Sequence, residues 1–97
     1  MYQINNTIKL QNYNGLQVSK VVKTEVLEII SISLEKEAIF PEHTSPTDAQ
    51  LVVLEGDISF HINNETHQLV AQQHFNFPKE MKHSVVANAN SKFLIIR

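Results

Sequence analysis

Two histidines, His43 and His83, each follow a turn that contains a proline. Imidazole nitrogen is a common ligand for divalent transition metals, so this pair is a candidate for holding iron, zinc, nickel or manganese. Two imidazoles alone hold a metal weakly, since zinc sites in proteins usually have at least three protein ligands. The alternative is that both histidines are polar groups in the wall of a pocket.

Short segments with the pattern of β-strands surround the two histidines. The segment 24–34 is predicted to be a strand, and within it residues 30–34 alternate between apolar and polar with a period of two, which is typical of a strand with one buried face. Residues 50–55 are nearly all apolar, as expected for a strand buried on both faces. The pair Asn63-Asn64 predicts a tight hairpin, because asparagine enters the left-handed region more easily than most residues. The other predicted strands are 16–22, 57–62, 65–70, 74–77, 83–87 and 92–96.

Eight or nine short strands without a convincing helix predict an all-β sandwich or barrel. The chain has 97 residues, so we expect a single domain over residues 1–97 with one modest core. Residues 1–14 mix a few apolar residues with many Asn and Gln, and they are predicted to be an N-terminal arm or an edge strand.

The composition argues against several classes of partner. The net charge is −2 and no basic cluster is present, so neither nucleic acid nor an anionic membrane is expected to bind. No apolar run approaches the roughly 20 residues that span a bilayer, and the N-terminus lacks the pattern of a signal peptide. The chain contains no cysteine, which fits a reducing compartment. The expected location is therefore the cytoplasm.

The order of these features resembles the cupin superfamily of small jelly-roll barrels, also called double-stranded β-helices. The first motif of that family contains a His-x-His pair, then a glutamate, and ends at a glycine; His43 and Gly56 match it. The second motif contains a proline followed by a histidine, and Pro78 and His83 match it. The resemblance covers about residues 29–95 and implies a jelly-roll cupin barrel. Together with the N-terminal arm, it also implies a homodimer.

This chain departs from the family at the positions that matter for a metal. Metal-binding cupins typically use His, His, Glu and His, but Ser45 stands at the second position and Ala49 at the third. Asp48 and Gln50 point away from the side of Ala49 in an extended strand, so a β-bulge would be needed to turn either inward. The motif glycines are replaced as well. Glu37, Gln72 and Glu80 stand where the motifs have glycine. The candidates for a third ligand or for pocket residues are Ser45, Asp48, Gln50 and His67.

Three functions are compatible with these residues. The first is binding of a small molecule in the barrel, with or without a weakly held divalent metal. The second is a metal-dependent enzyme of dioxygenase or isomerase type that uses His43 and His83. The third is a structural or partner-binding domain without a ligand, which would have a barrel filled by side chains. Because one fold hosts many functions, only the geometry and chemistry of the site can show whether this protein is an enzyme.

Overall fold

The computed structural model describes residues 2–97 and confirms the predicted all-β jelly roll. Nine strands form two antiparallel sheets that enclose the core. The first sheet has the order β1-β2-β9-β4-β7 and the second has the order β3-β8-β5-β6. The strands are β1 (Leu16–Lys23), β2 (Glu28–Leu34), β3 (Ile39–His43), β4 (Ala49–Glu55), β5 (Asp57–Ile62), β6 (Glu65–Val70), β7 (His74–Phe77), β8 (His83–Ala87) and β9 (Ser91–Ile96).

The core lies between the two sheets and is built from the apolar alternation of their strands. Strand β5 follows the predicted period closely, with Ile58, Phe60 and Ile62 buried and the residues between them half-buried. Each inward side chain removes apolar surface from water, which contributes roughly 25 cal/mol per Å². The described residues 2–97 contain no helix that is long and apolar enough to cross a membrane.

The N-terminal segment covers the outer face of the first sheet and, of the two predicted alternatives, an arm or an edge strand, it contains no strand within residues 2–14. Its one regular element is a single helical turn, α1 (Thr7–Leu10). The Gln11 side chain accepts a hydrogen bond from Ser31 Oγ (2.6 Å) and donates one to the Ser31 carbonyl (3.0 Å). Ser33 Oγ donates to the carbonyl of Asn12 (2.6 Å). The polar face of β2, with Ser31 and Ser33, is therefore buried under the chain's own N-terminus.

Left-handed backbone occurs where the cupin motifs have glycine, although this chain has other residues there. Glu37, Gln72 and Glu80 have φ values of 74°, 72° and 63°. This region costs an L-residue roughly 1–2 kcal/mol. The three turns thus have the left-handed conformation that glycine favours, although none of them has glycine at that position. At the hairpin, Asn63 and Asn64 have φ values of 52° and 60°, as predicted.

Candidate functional site

The two histidines lie side by side on neighbouring strands of the second sheet. His43 ends β3 and His83 begins β8, and their Cα atoms are register partners. The ring centroids are 4.2 Å apart in an edge-on arrangement. The structure therefore brings together the two residues that the sequence selected from opposite halves of the chain.

A break in the register of β3 turns His43 toward the cavity between the sheets. The pairing with β8 shifts between Phe40 and His43. In a regular strand these two residues, three positions apart, would point to opposite faces. The irregularity instead brings both rings to one side, where they stack with centroids 4.1 Å apart. Pro41 lies within this irregularity, on an edge strand, which is where proline is tolerated in a sheet.

Both imidazoles are oriented by the backbone two residues earlier in the chain. Nδ1 of His43 donates to the carbonyl of Pro41 (2.7 Å), and Nδ1 of His83 donates to the carbonyl of Met81 (2.9 Å). A carbonyl only accepts hydrogen bonds, so each Nδ1 carries the proton. In a neutral ring the other nitrogen, Nε2, is then an acceptor with a free lone pair.

His83 is held in its neutral form by its surroundings. The residue is buried, with Phe60 stacked on its ring at 5.3 Å and Phe77 at 4.5 Å. Burial lowers the pKa of His83, and the nearby His43 and Arg97 act in the same direction. The hydrogen bond to the Met81 carbonyl raises this pKa but is the smaller effect. His83 therefore offers an unprotonated Nε2 at neutral pH.

A cavity of about 260 Å³ lies between the sheets and includes both histidines. This volume is just below the range of roughly 300–1,000 Å³ for drug-sized ligands, so the cavity suits a compact molecule. Its walls are mostly apolar and include Ile32, Phe60, Phe77 and Phe93. Its polar residues are Lys20, His43, Thr44, Ser45, His83 and Arg97.

Arg97 is the residue of this site that sequence reasoning missed. Its Nη1 donates to Ser45 Oγ (3.0 Å) and its Nε donates to Glu28 Oε1 (2.7 Å). The Ser45 hydroxyl donates its own hydrogen bond to the Thr47 carbonyl (2.7 Å). Arg97 follows β9, far from His43 in sequence, and only the pairing of β9 with β2 brings it to the cavity. No local motif marks such a residue.

The donor set does not fit a resident divalent metal. Among residues 2–97, no group of three or more His, Cys, Asp or Glu side chains is placed to hold a metal ion. The family's second ligand position, Ser45, is hydrogen-bonded to a guanidinium cation, and the third, Ala49, is a buried methyl group. Two imidazoles remain, fewer than the usual three protein ligands.

The other predicted donors lie outside the cavity. Asp48 accepts a hydrogen bond from the backbone N–H of Lys79 (2.9 Å), and Gln50 is hydrogen-bonded to His74. His67 packs against Phe75, with ring centroids 5.0 Å apart, and approaches Glu65 at 3.3 Å. Of the four candidates for a third ligand or pocket residue, the structure places only Ser45 beside the two histidines.

Comparison with known proteins identifies the fold. No protein-family model matches the sequence, and no curated protein gives a significant match. Among solved structures, an RmlC-like cupin protein from Desulfovibrio desulfuricans superimposes with a TM-score of 0.86 at 19% identity, covering 99% of this chain and 95% of that one. A conserved protein of unknown function from Streptococcus pyogenes gives 0.82 at 23% identity, covering 98% and 84%.

A third solved structure, KdgF from a Halomonas species, has a TM-score of 0.81 at 21% identity and covers 99% of this chain and 90% of that one. These identities are low, so the similarity establishes architecture and not activity. Several such structures are cupins by name, and the chain has the cupin fold that its motifs predicted.

Proposed function

We propose that this small cupin-fold protein binds a compact organic molecule in the cavity between its two sheets. The observation that carries the proposal is the cavity of about 260 Å³ beside His43 and His83. A purely structural domain was expected to have a barrel filled by its own side chains, so the cavity supports ligand binding over that alternative. Ligand sites in proteins are typically apolar clefts with a few convergent polar groups, which matches these walls.

The histidines would orient the ligand by accepting hydrogen bonds. Nε2 of the neutral His83 accepts from a hydroxyl or amide N–H of the ligand, and the carbonyls of Pro41 and Met81 keep both rings in place. The phenylalanines on the walls would contact the apolar part of the molecule. Desolvating such a neutral acceptor without a partner costs roughly 1–3 kcal/mol, so ligands with a matching donor are favoured.

No resident metal is part of this proposal, because two imidazoles and an arginine-bound serine are a poor donor set. A metal-dependent enzyme was the alternative at the level of sequence. Such an enzyme would need a third protein ligand for the metal. The candidates Asp48, Gln50 and His67 do not line the cavity.

A ligand screen with two matched variants tests the proposal. We expect ligand-observed NMR to find compact molecules with a hydroxyl or N–H donor that bind wild type. His43→Ala should weaken their binding by about tenfold or more, because it removes one of the two acceptors. His74→Ala is the control, since His74 is exposed and lies outside the cavity.

Two results would contradict the proposal: no binder in the screen, or binders that are lost equally in His43→Ala and His74→Ala. Elemental mass spectrometry of the untagged protein, after loading with each metal and desalting, runs alongside. About one tightly held metal per chain would reverse the conclusion on the donor set.

We also infer that the protein forms a homodimer. β1 is an edge strand of the first sheet, and an uncovered edge invites pairing with another chain. Val26, three residues after the end of this strand, is 90% exposed and lies outside the cavity, which supports an apolar contact there. Light scattering should give twice the mass of the chain, and a monomer at micromolar concentration would rule the dimer out.

A further inference from the structure

The permanently charged residues that line the cavity are all positive. Two permanent cations, Lys20 and Arg97, contribute to its lining, and no Asp or Glu does. Protein surfaces usually intersperse the two signs of charge. A cavity lined by cations alone attracts anions and disfavours a metal dication.

One carboxylate beside the cavity offsets only part of this charge. Glu28 Oε1 accepts from Arg97 Nε at 2.7 Å, while its Oε2 lies 3.5 Å from the Nζ atoms of both Lys20 and Lys23. Glu28 thus offsets one of the two cations that line the cavity, which leaves one positive charge in excess there. Glu28 is buried, whereas the Lys20 side chain is 62% exposed, so solvent screens part of the positive charge at the cavity.

Arg97 still has donors to offer. A guanidinium carries five N–H groups. Glu28 and Ser45 each take one of them in the structure. These two partners also hold the planar group in one orientation at the cavity. The N–H groups that remain, two on Nη2 and one on Nη1, can donate to a carboxylate, and a guanidinium already held in place loses less side-chain freedom on binding one.

We propose that the ligand is a small hydroxycarboxylate. Its carboxylate pairs with Arg97 and Lys20, its hydroxyl donates to Nε2 of His43 or His83, and its carbon skeleton lies against the phenylalanine walls. The inference rests on the proposed function, because it names the ligand class for the same cavity. Inorganic phosphate is a poorer match, since it has no apolar part to fill those walls.

Matched ligand pairs provide the test. Lactate, 3-hydroxybutyrate and mandelate are each compared with their primary amide by titration calorimetry. Each amide keeps the hydroxyl and the skeleton, loses the charge, and has an NH2 donor in place of one carboxylate oxygen. We expect at least one acid to bind about tenfold more tightly than its amide. The affinity of the acid should fall as salt is raised, because salt screens exposed charges such as Lys20.

Two lysines form a matched pair of variants. Lys20 and Lys23 are equally close to Glu28 and similarly exposed, at 62% and 64%, but only Lys20 lines the cavity. Lys20→Gln should weaken binding of the acid about two- to fivefold and leave the amide unchanged. Lys23→Gln should leave both unchanged. Arg97→Lys keeps the positive charge and removes the planar guanidinium, so it should weaken binding of the acid further.

The outcomes separate this inference from the proposed function. If acids and amides bind alike and His43→Ala weakens both, the cavity binds ligands but the anion preference is refuted. If Lys20→Gln and Lys23→Gln have equal effects, the anion is not held in the cavity and the inference also fails. If neither acids nor amides bind while other donors in the screen do, the hydroxycarboxylate class is wrong. If inorganic phosphate competes as well as the acids, the organic skeleton has no role and the inference is overturned.

Discussion

At the scale of single residues, three surface turns hold side chains in a backbone conformation that suits glycine. Glu37, Gln72 and Glu80 are exposed and have positive φ. No hydrogen bond of their side chains is found among residues 2–97 that would compensate. The strain therefore lowers stability without a visible local benefit, and it is a property of the turns and not of the cavity.

Substituting glycine at any of these positions should stabilise the fold. Relief of roughly 1–2 kcal/mol of left-handed strain is offset by the entropy of glycine, so Glu37→Gly, Gln72→Gly and Glu80→Gly should each add about 0.5–1 kcal/mol to the free energy of unfolding. Urea denaturation measures this. The neighbouring Lys36→Gly, at an exposed position without positive φ, should destabilise; stabilisation by Lys36→Gly as well would refute the explanation.

At the scale of elements, the turn between β4 and β5 packs tightly against the start of β9. Gly56 has φ of 96°, and a Cβ added there would lie 2.5 Å from the carbonyl oxygen of Asn90 and 2.6 Å from Cα of Ser91. Ser91 Oγ in turn accepts from the N–H of Asp57 (3.0 Å). The glycine thus allows two backbone segments to meet where a side chain would separate them.

Gly56→Ala should therefore destabilise by about 3 kcal/mol, combining backbone strain with overpacking against rigid main chain. Gly15→Ala is the control, since Gly15 also has positive φ (62°) but nothing lies within 4 Å of an added Cβ. It should cost only about 1 kcal/mol. Thermal or urea unfolding of both variants gives the comparison, and equal losses would show that packing at Gly56 does not matter.

At the scale of the whole molecule, ionic and backbone contacts close the end of the first sheet beside the cavity. Glu28 and Arg97 exchange backbone hydrogen bonds in both directions, 2.6 and 2.9 Å, as well as their side-chain ion pair. The hydrogen bond from Arg97 lowers the pKa of Glu28 from 4.5 to about 2, with Lys23 and Lys20 contributing. Position 28 therefore couples the stability of the sheet to pH.

The sign of this coupling follows from the lowered pKa. The unfolded chain takes up a proton at Glu28 near pH 4.5, whereas the folded chain does so only near pH 2. The stabilisation is therefore complete above about pH 4.5 and is lost as the pH falls toward 2. We expect Glu28→Gln to be less stable at neutral pH and to lose less stability on acidification than wild type.

Urea denaturation at a series of pH values measures this slope. Glu25→Gln is the control, because Glu25 is exposed and forms no ion pair within residues 2–97. An acid slope in Glu28→Gln that equals the wild-type slope would show that Glu28 does not carry the dependence.

Local pattern in the sequence was enough to predict much of this protein. The apolar patterning located eight of the nine strands described, all but β3, because a strand has the same period wherever it packs. Asn63-Asn64 predicted its hairpin, since the left-handed preference of asparagine is intrinsic. His43 and His83 were selected because their spacing from Gly56 and Pro78, respectively, matches cupin motifs, and the fold those motifs imply is confirmed.

Tertiary structure alone decided which residues share the cavity. Arg97 and Lys20 carry no local signal, and they reach the histidines only through the pairing of β2 with both β1 and β9. The irregularity in β3 that turns His43 beside Phe40 is likewise a property of its pairing with β8. Register and bulges arise from contacts between segments distant in sequence, so periodicity predicts that strands exist but not which side chains they bring together.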